Sequence, residues 1–559
     1  MKEKIKKLIN TIPKTLLGLF GAILIMVLPL TNGKVALGHD IDFHMTNYVL
    51  TKDYIDIFKL NIFLPRVFSG GIANGFGYGT GIFYPPLSFY LSAYTSSILE
   101  AFNLSSNNTI TCVEIPILVF AGIFMYMLIL EIFKDHKVSL IGSISYITST
   151  YLMCDLYVRA ALAELLVFVF IPIVFLGIYD LFFKEGKKFK TLFVIGYTGM
   201  ILSHLVLTVY LTIIIILLFL LNIKKVIKKD KIKSLLIASL IVLLLTSPYY
   251  IPILEHKING SYIVFEQNGM YSLEQIKNNA LTLDSYINKN SIIDGIKMYL
   301  NQVVLILLII TIIFNKKIFI KENRKIFNLS LIIIGVSIFI SSTYFPWDKT
   351  HDFMKMIQFP WRMLTFVTFG ISLLVGNIVK LFDSKNKTVL TVFISVLIVL
   401  ISYNEIPKHT AIVPNYIDCT DMGVQKEYLP TNTSNNINYF ISRNNDIKIR
   451  KGTATIELIE VKTPNIKANI NTNEVITVEL PALYYLGYNI ELINEKEETK
   501  KLNYYENEYG FIELEIPESG ILQVEYKNTT GGIIAKYIAL ITILVIFIIN
   551  IVKRKKFLG

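Results

Sequence analysis

Residues 163–183 have the sequence AELLVFVFIPIVFLGIYDLFF, in which Glu164 and Asp180 are the charged side chains. A helix needs about 20 consecutive, mainly apolar residues to cross a bilayer, because no backbone polar group can stay unpaired in hydrocarbon. This stretch meets that length. It decides the fold class because similar runs recur along the 559 residues of the chain.

The apolar runs predict a polytopic α-helical membrane protein. The clearest runs lie at 15–31, 112–133, 163–183, 204–222, 234–254, 299–315, 326–345, 362–381, 388–403 and 533–552. Weaker runs at 83–100, 138–153 and 191–203 bring the expected number of transmembrane segments to about 12 or 13. The topology of 83–153 stays open, because 83–100 can cross the membrane or re-enter it.

Composition and charge support this interpretation. Hydrophobic residues make up 53% of the chain and charged residues 17%, and three cysteines cannot build a disulfide scaffold. About half of the lysines and arginines fall in seven short clusters at 1–7, 134–137, 184–190, 224–233, 316–325, 380–387 and 553–556. The positive-inside rule places these clusters, and both termini, in the cytoplasm. The net charge of +12 is then a topology signal, and we expect no nucleic-acid partner.

The chain divides into three predicted regions. Residues 1–403 form a multi-spanning membrane domain, whose first outer loop is 32–82. Residues 404–532 alternate polar and apolar side chains between Pro, Gly and Asn turns, which predicts an extracytoplasmic all-β domain of the sandwich type. Residues 533–559 form a C-terminal transmembrane helix with a basic cytoplasmic tail.

The first outer loop opens with Gly-His-Asp-Ile-Asp-Phe-His at 38–44. Carboxylates and imidazoles this close together can bind a divalent metal or act as a general base. Asp40 and Asp42 are therefore the candidate catalytic residues, and the candidate ligands if Mg²⁺ or Mn²⁺ is a cofactor. His44 is a candidate for substrate binding. The alternative is a hydrated polar loop, since D-x-D alone is a weak pattern.

Three further residues are candidates for substrate binding, and the two arginines among them could bind an anionic group. Arg66 lies in the same outer loop, before a glycine-rich stretch. Arg159 and Glu164 follow Asp155 at the predicted outer edge of the membrane. The spacing of Asp155 and Arg159 places both on one face of a helix, so a structural ion pair is the alternative to phosphate binding.

The last two candidates lie at the ends of apolar runs. His204 interrupts an apolar stretch whose two ends are basic, so the chain must turn there at the outer side; a hydrogen bond between helices is the alternative role. Arg362 begins an apolar run at the head-group level, where it can bind phosphate. Its neighbour Trp361 and the other tryptophan, Trp347, are expected to anchor the chain at the membrane interface.

Together these motifs resemble a bacterial integral membrane family labelled as related to pyruvoyl-tetrahydropterin synthase, which is similar to the GT-C glycosyltransferases. The motifs are the acidic residues at 40–42, Tyr84-Pro85-Pro86-Leu87, the segment RAALAE at 159–164, Ser203-His204 and Phe359-Pro360-Trp361-Arg362. The resemblance covers nearly the whole chain, including 484–488 and 517–520 of the β domain. The pterin label would imply a soluble zinc enzyme, but the sequence has no histidine triad with metal-ligand spacing.

The resemblance implies a GT-C-like glycosyltransferase in the bacterial cell membrane. An Asp of the first outer loop would be the base or hold a metal, and the donor would be a sugar on a polyprenyl phosphate. The acceptor would be a cell-envelope glycan, lipid or polymer, and membrane lipids would surround the protein. Arg159, His204 and Arg362 are then candidates for binding the leaving phosphate. Two alternatives remain: a transporter of lipid-linked glycan or polysaccharide, and an assembly protein that binds envelope glycan.

Overall fold

Apolar helices dominate the described part of the chain, as the sequence predicts. The computed structural model describes residues 13–31, 34–54, 67, 72–105, 108–266, 272–293, 296–321, 323–350, 357–406, 412–413, 426–462 and 464–558. Within these residues, seven helices are long and apolar enough to cross a membrane: Thr109–Phe133, Leu162–Phe183, Lys229–Asn259, Arg324–Ser341, Pro360–Leu381, Asn386–Glu405 and Thr530–Val552. The chain is therefore a helical membrane protein.

Every clear apolar run coincides with one of these helices or with a shorter apolar helix. The shorter helices are Lys14–Leu30, Phe189–Ser203, Leu205–Leu221 and Gln302–Ile313. The weaker run at 138–153 differs from the prediction, because it is divided into His136–Ile147 and Thr150–Tyr157. The side chain of Ser149 accepts a hydrogen bond from the Leu152 backbone N–H and so caps a new helix at this point.

The chain divides into two compact units. The first comprises Met1–Ile41, Thr95–Leu240 and Tyr271–Tyr416. It contains most of the apolar helices above, but not Thr530–Val552. Its other elements are the helices Ile223–Val226, Leu273–Asn278, Leu283–Ile287 and Asn315–Ile318, the 3-10 helices Trp347–Lys349, Pro360–Met363 and Gly376–Leu381, and the paired strands Val35–Ala36 and Ile412–Val413.

The second unit comprises Asp42–Tyr94, Ile241–Met270 and Ile417–Gly559. Its helices and 3-10 helices include Ile72–Gly75, Thr80–Phe83, Ile263–Phe265, Thr431–Asn435, Ile437–Ser442 and Thr530–Leu558. Three of the boundaries between the units fall at the start of helix Ile41–Tyr54 and within helices Leu87–Ala101 and Lys229–Asn259.

The predicted β region forms two antiparallel sheets that follow two short helices. One sheet has the strand order Lys448–Lys451, Ile476–Leu483, Phe511–Ile516, Tyr504–Glu506, and the other has the order Ala454–Lys462, Asn465–Thr472, Gly520–Tyr526, Tyr488–Ile493, Thr499–Lys501. Both sheets contribute side chains to one apolar core, among them Val478, Leu514, Ile470, Leu492 and Leu522. This is a sandwich, and the alternation in the sequence reflects inward and outward side chains.

Candidate functional site: a buried charge cluster

The segment that precedes helix Ile41–Tyr54 lies directly on the backbone of residues 158–160. The backbone N–H of Asp40 donates to the carbonyl oxygen of Arg159 at 2.8 Å, and that of His39 donates to Val158 at 3.2 Å. A Cβ atom on Gly38 would approach the carbonyl carbon of Arg159 to 2.4 Å. Position 38 therefore requires glycine, and the close approach fixes Asp40 beside Arg159.

Arg159 bonds three carboxylates. Its Nη2 lies 3.2 Å from Oδ2 of Asp40, and its Nη1 lies 2.9 Å from Oδ1 of Asp155 and 2.8 Å from Oε1 of Glu164. Asp155 lies in the last turn of helix Thr150–Tyr157 and Glu164 in the first turn of helix Leu162–Phe183, so the guanidinium joins two helices to the loop that carries Asp40.

Glu164 is the centre of the cluster. Its Oε1 also accepts from Nε of Arg362 at 2.9 Å, and its Oε2 accepts from the hydroxyl of Tyr151 at 3.0 Å. The Nε2 atom of His204 lies 3.5 Å from Oε1. A buried carboxylate with this many partners is well compensated for its loss of water.

His204 also has a local structural role. Its backbone is extended between helices Phe189–Ser203 and Leu205–Leu221, which confirms the predicted turn. Its Nδ1 accepts a hydrogen bond from the backbone N–H of Leu207 at 3.2 Å and so caps the second helix. In a neutral ring that accepts at Nδ1, the proton is on Nε2, the atom that faces Glu164.

Aromatic rings support both arginines. The guanidinium of Arg159 lies 4.8 Å from the ring centroid of Trp361, and that of Arg362 lies 4.9 Å from the ring of Phe359. Trp361 is 1% exposed and Trp347 is 3% exposed. The expectation that the tryptophans are interfacial anchors is therefore wrong for both side chains, since Trp361 packs against a buried cation.

Asp40 is the accessible carboxylate of the cluster. Its side chain is 39% exposed, whereas the side chains of Arg159, Asp155 and Glu164 are 5%, 0% and 2% exposed. The buried groups thus fix the position of Asp40 and leave part of its carboxylate accessible.

Asp155 has an unusual environment within the cluster. Its Oδ2 atom is buried without a hydrogen-bond partner among the described residues. Burial, together with the charge of Glu164, raises the pKa of Asp155 well above its ordinary value.

Two residues with strained backbone lie at the arginines, one next to Arg159 in sequence and one bonded to Arg362. Ala160 has a φ of 51° and Gln358 a φ of 60°, in the left-handed region that costs a residue with a Cβ atom energy. Ala160 follows Arg159, and the Gln358 side chain accepts from Nη1 of Arg362 at 2.7 Å. Strain of this kind persists when the surrounding structure enforces it and is common at functional sites.

Of the other predicted site residues, two belong to the second unit and one lies outside the described residues. Asp42 and His44 belong to the second unit, where Asp42 is exposed in the first turn of helix Ile41–Tyr54. His44 is buried near the rings of Phe43 and Tyr84. Arg66 lies outside the described residues.

The predicted metal site stays a prediction. Within the described ranges, no three His, Cys, Asp or Glu side chains are grouped so that they could hold a metal ion. One oxygen of Asp40 accepts from Arg159. The proposed mechanism contains no metal step.

Sequence reasoning missed three members of the cluster. Tyr151 and Gln358 are ordinary polar residues in apolar surroundings, and Trp361 was assigned to the interface. The signal for Trp361 was its position directly before Arg362 and after a proline, because a ring fixed in this way can support a cation.

No family model matches the chain. A Lactococcus lactis subsp. cremoris (strain MG1363) protein described as uncharacterized is 28% identical over 247 residues, which cover 42% of this chain and 38% of that protein. The chain thus matches well under two thirds of its relative's length. The match names no activity, and the family resemblance stays a prediction.

Proposed function

We propose that the protein is a GT-C-type glycosyltransferase of the bacterial cell membrane. It moves a sugar from a polyprenyl-phosphate donor to a cell-envelope glycan, lipid or polymer outside the cytoplasm. The proposal includes the finer topology, with about 12 or 13 segments and both termini cytoplasmic.

The observation that carries the proposal is the exposure of Asp40. A general base must reach its substrate and must keep a fixed position. Asp40 is 39% exposed, yet its backbone is bonded to Arg159 and its side chain to the Arg159 guanidinium. The other carboxylates of the cluster, Asp155 and Glu164, are too buried to meet an acceptor.

The reaction is a single displacement with inversion. Asp40 accepts the proton of an acceptor hydroxyl while the oxygen attacks the anomeric carbon of the donor. The bond from that carbon to the phosphate oxygen breaks, and the electron pair leaves with the polyprenyl phosphate. A positioned base of this kind contributes roughly 10²–10⁴-fold to the rate.

Glu164 and its partners act as positioning residues in this mechanism. Arg362 and His204 contact Glu164, so they act on Asp40 through Glu164 and Arg159. Arg159 is the cation next to the exposed carboxylate. Of the three candidate phosphate ligands, it is therefore the one we retain near the reacting atoms.

The full-length protein in lipid nanodiscs can be tested against a panel of polyprenyl-phosphate hexoses. Released polyprenyl phosphate is the readout, measured with an extract of envelope glycan as acceptor. We expect release by the wild type and by Asp42→Asn, and a loss of at least about 100-fold in Asp40→Asn. Equal release by Asp40→Asn would refute the assignment of the base. Movement of a lipid-linked glycan across the membrane without release would support a transporter.

A further inference from the structure

An apolar groove runs between five helices of the first unit, at the opposite end of helix Leu162–Phe183 from Glu164. Phe183 lines it, roughly 28 Å along the helix axis from Glu164 at the usual rise per residue. The space between its lining side chains is about 420 Å³ when the open side is included, and no polar atom is exposed in its lining.

Three lysines lie beside residues that line this groove. The Nζ atom of Lys225 lies 4.3 Å from the ring centroid of Phe183. Lys231 donates a hydrogen bond to the carbonyl oxygen of Leu181, next to Phe182 of the lining. Lys325 directly precedes Ile326, which lines the groove on helix Arg324–Ser341. We call Lys225, Lys231 and Lys325 the lysine cluster.

The lysine cluster concentrates like charges. Partial burial, and then the charges of Lys325 and Lys231, lower the pKa of Lys225. In the described part of the chain, no carboxylate lies within ion-pair distance of Lys225.

Two nearby acids already have partners. Glu131 pairs with Lys134 and Lys184, and Asp180 accepts the backbone N–H groups of Lys188 and Phe189. An anion bound between the three ammonium groups would relieve their repulsion.

We propose that the groove and the lysine cluster bind one phospholipid with an anionic head group. An acyl chain lies in the groove, and the phosphate lies between Lys225, Lys231 and Lys325. A lipid is the occupant that the surroundings favour, because the groove is formed by membrane-spanning helices and opens beside basic clusters assigned to the cytoplasm. Basic pockets between helices on that side suit anionic lipid head groups.

The test uses the full-length protein purified in a mild detergent. Native mass spectrometry measures the binding of phosphatidylglycerol and phosphatidylcholine at equal concentrations. We expect phosphatidylglycerol to bind more tightly to the wild type. A lysine near a lipid surface contributes about fivefold in affinity, so Lys225→Gln combined with Lys325→Gln should bind phosphatidylglycerol about 30-fold more weakly. Lys187→Gln combined with Lys190→Gln is the control of equal charge and should bind like the wild type.

A second variant tests the groove itself. Leu329→Trp fills the lining and keeps the lysine cluster, so it should lose both phospholipids while remaining monodisperse. Inorganic phosphate should compete poorly with phosphatidylglycerol, because the acyl chain contributes to binding. Unchanged lipid binding in the double lysine variant, or in Leu329→Trp, would overturn the proposal. These outcomes do not depend on glycosyl transfer.

Discussion

Two buried glutamates of this protein each lie between two arginines and a tyrosine. Glu164 bonds Arg159, Arg362 and Tyr151 in the first unit. Glu479 bonds Arg443, Arg450 and Tyr439 in the sandwich of the second unit, and Asn507 adds a fourth donor. Both clusters contain a glutamate, two arginines and a tyrosine, but the surroundings of the two clusters differ.

Each cluster extends to a carboxylate that is partly exposed. Glu479 and the side chain of Arg443 are fully buried, and Arg443 also bonds Asp446, whose side chain is 53% exposed. The Glu164 cluster extends to Asp40, but it also leaves Oδ2 of Asp155 without a partner among the described residues and includes the strained Ala160. A fully bonded network stabilises a fold, whereas a buried unpaired oxygen beside strained backbone is typical of a functional site.

The largest effect is expected for Glu164→Ala. It would leave Arg159 and Arg362 buried and short of an acceptor, which costs about 3–5 kcal/mol in stability. Asp40 would also lose its support, so transfer should disappear. Thermal unfolding in nanodiscs and polyprenyl-phosphate release measure the two effects. Glu164→Gln keeps the shape of the side chain and should lose less stability. Normal transfer by Glu164→Ala would contradict the functional role given to the Glu164 cluster.

Glu479→Ala should destabilise the protein by a similar amount, about 3–5 kcal/mol, because it leaves Arg443 unpaired in the core. Transfer per folded molecule should stay at the wild-type level, since this cluster has no substrate role. The activity must be normalised to folded protein by size-exclusion chromatography. A specific loss of transfer would show that the sandwich takes part in the reaction.

A third prediction concerns pH and the sandwich. Burial raises the pKa of Glu506 to about 7, against the opposing hydrogen bond from Asn432. The folded protein therefore keeps a proton that the unfolded chain releases. The contribution of Glu506 to stability is complete below about pH 4.5 and is lost as the pH rises through about 7. Glu506→Gln should make the unfolding temperature depend less on pH over this range. An unchanged pH dependence would refute the raised pKa of Glu506.

The smallest effect is expected for Ala160→Gly. Glycine removes the cost of the positive φ but adds freedom to the unfolded chain, so stability should rise by less than about 1 kcal/mol. Transfer should fall, because Arg159 would be held less firmly. Lys134→Gly is the matched control: it has a φ of 53° at a helix end outside the cluster and should leave transfer unchanged. Unaltered transfer in Ala160→Gly would show that the backbone strain at Ala160 does not contribute to activity.

The membrane helices were predictable because length and apolarity alone decide them. The break within 138–153 was not, because a single serine cap competes with a long apolar run and becomes visible only in its hydrogen bond to Leu152. The sandwich was predictable from its period of two. The short helices Thr431–Asn435 and Ile437–Ser442 carry no such pattern.

Single residues and one local ion pair of the candidate site were predictable from the sequence, but the long-range contacts that form the cluster were not. The Asp155–Arg159 pair follows from helical spacing and is present at 2.9 Å. The ion pair between Glu164 and Arg362 joins residues 198 positions apart, and no local pattern reveals such a pair. The sequence therefore indicated both arginines as phosphate ligands, whereas each of them bonds Glu164.

The central claim is that Asp40 reacts and the Glu164 cluster positions it. The most direct test measures donor affinity and single-turnover rate together for Asp40→Asn in nanodiscs. We predict donor affinity within about threefold of the wild type and a rate at least about 100-fold lower, because the side chain is partly exposed and its shape is kept. A single-turnover rate within about threefold of the wild type would contradict the claim.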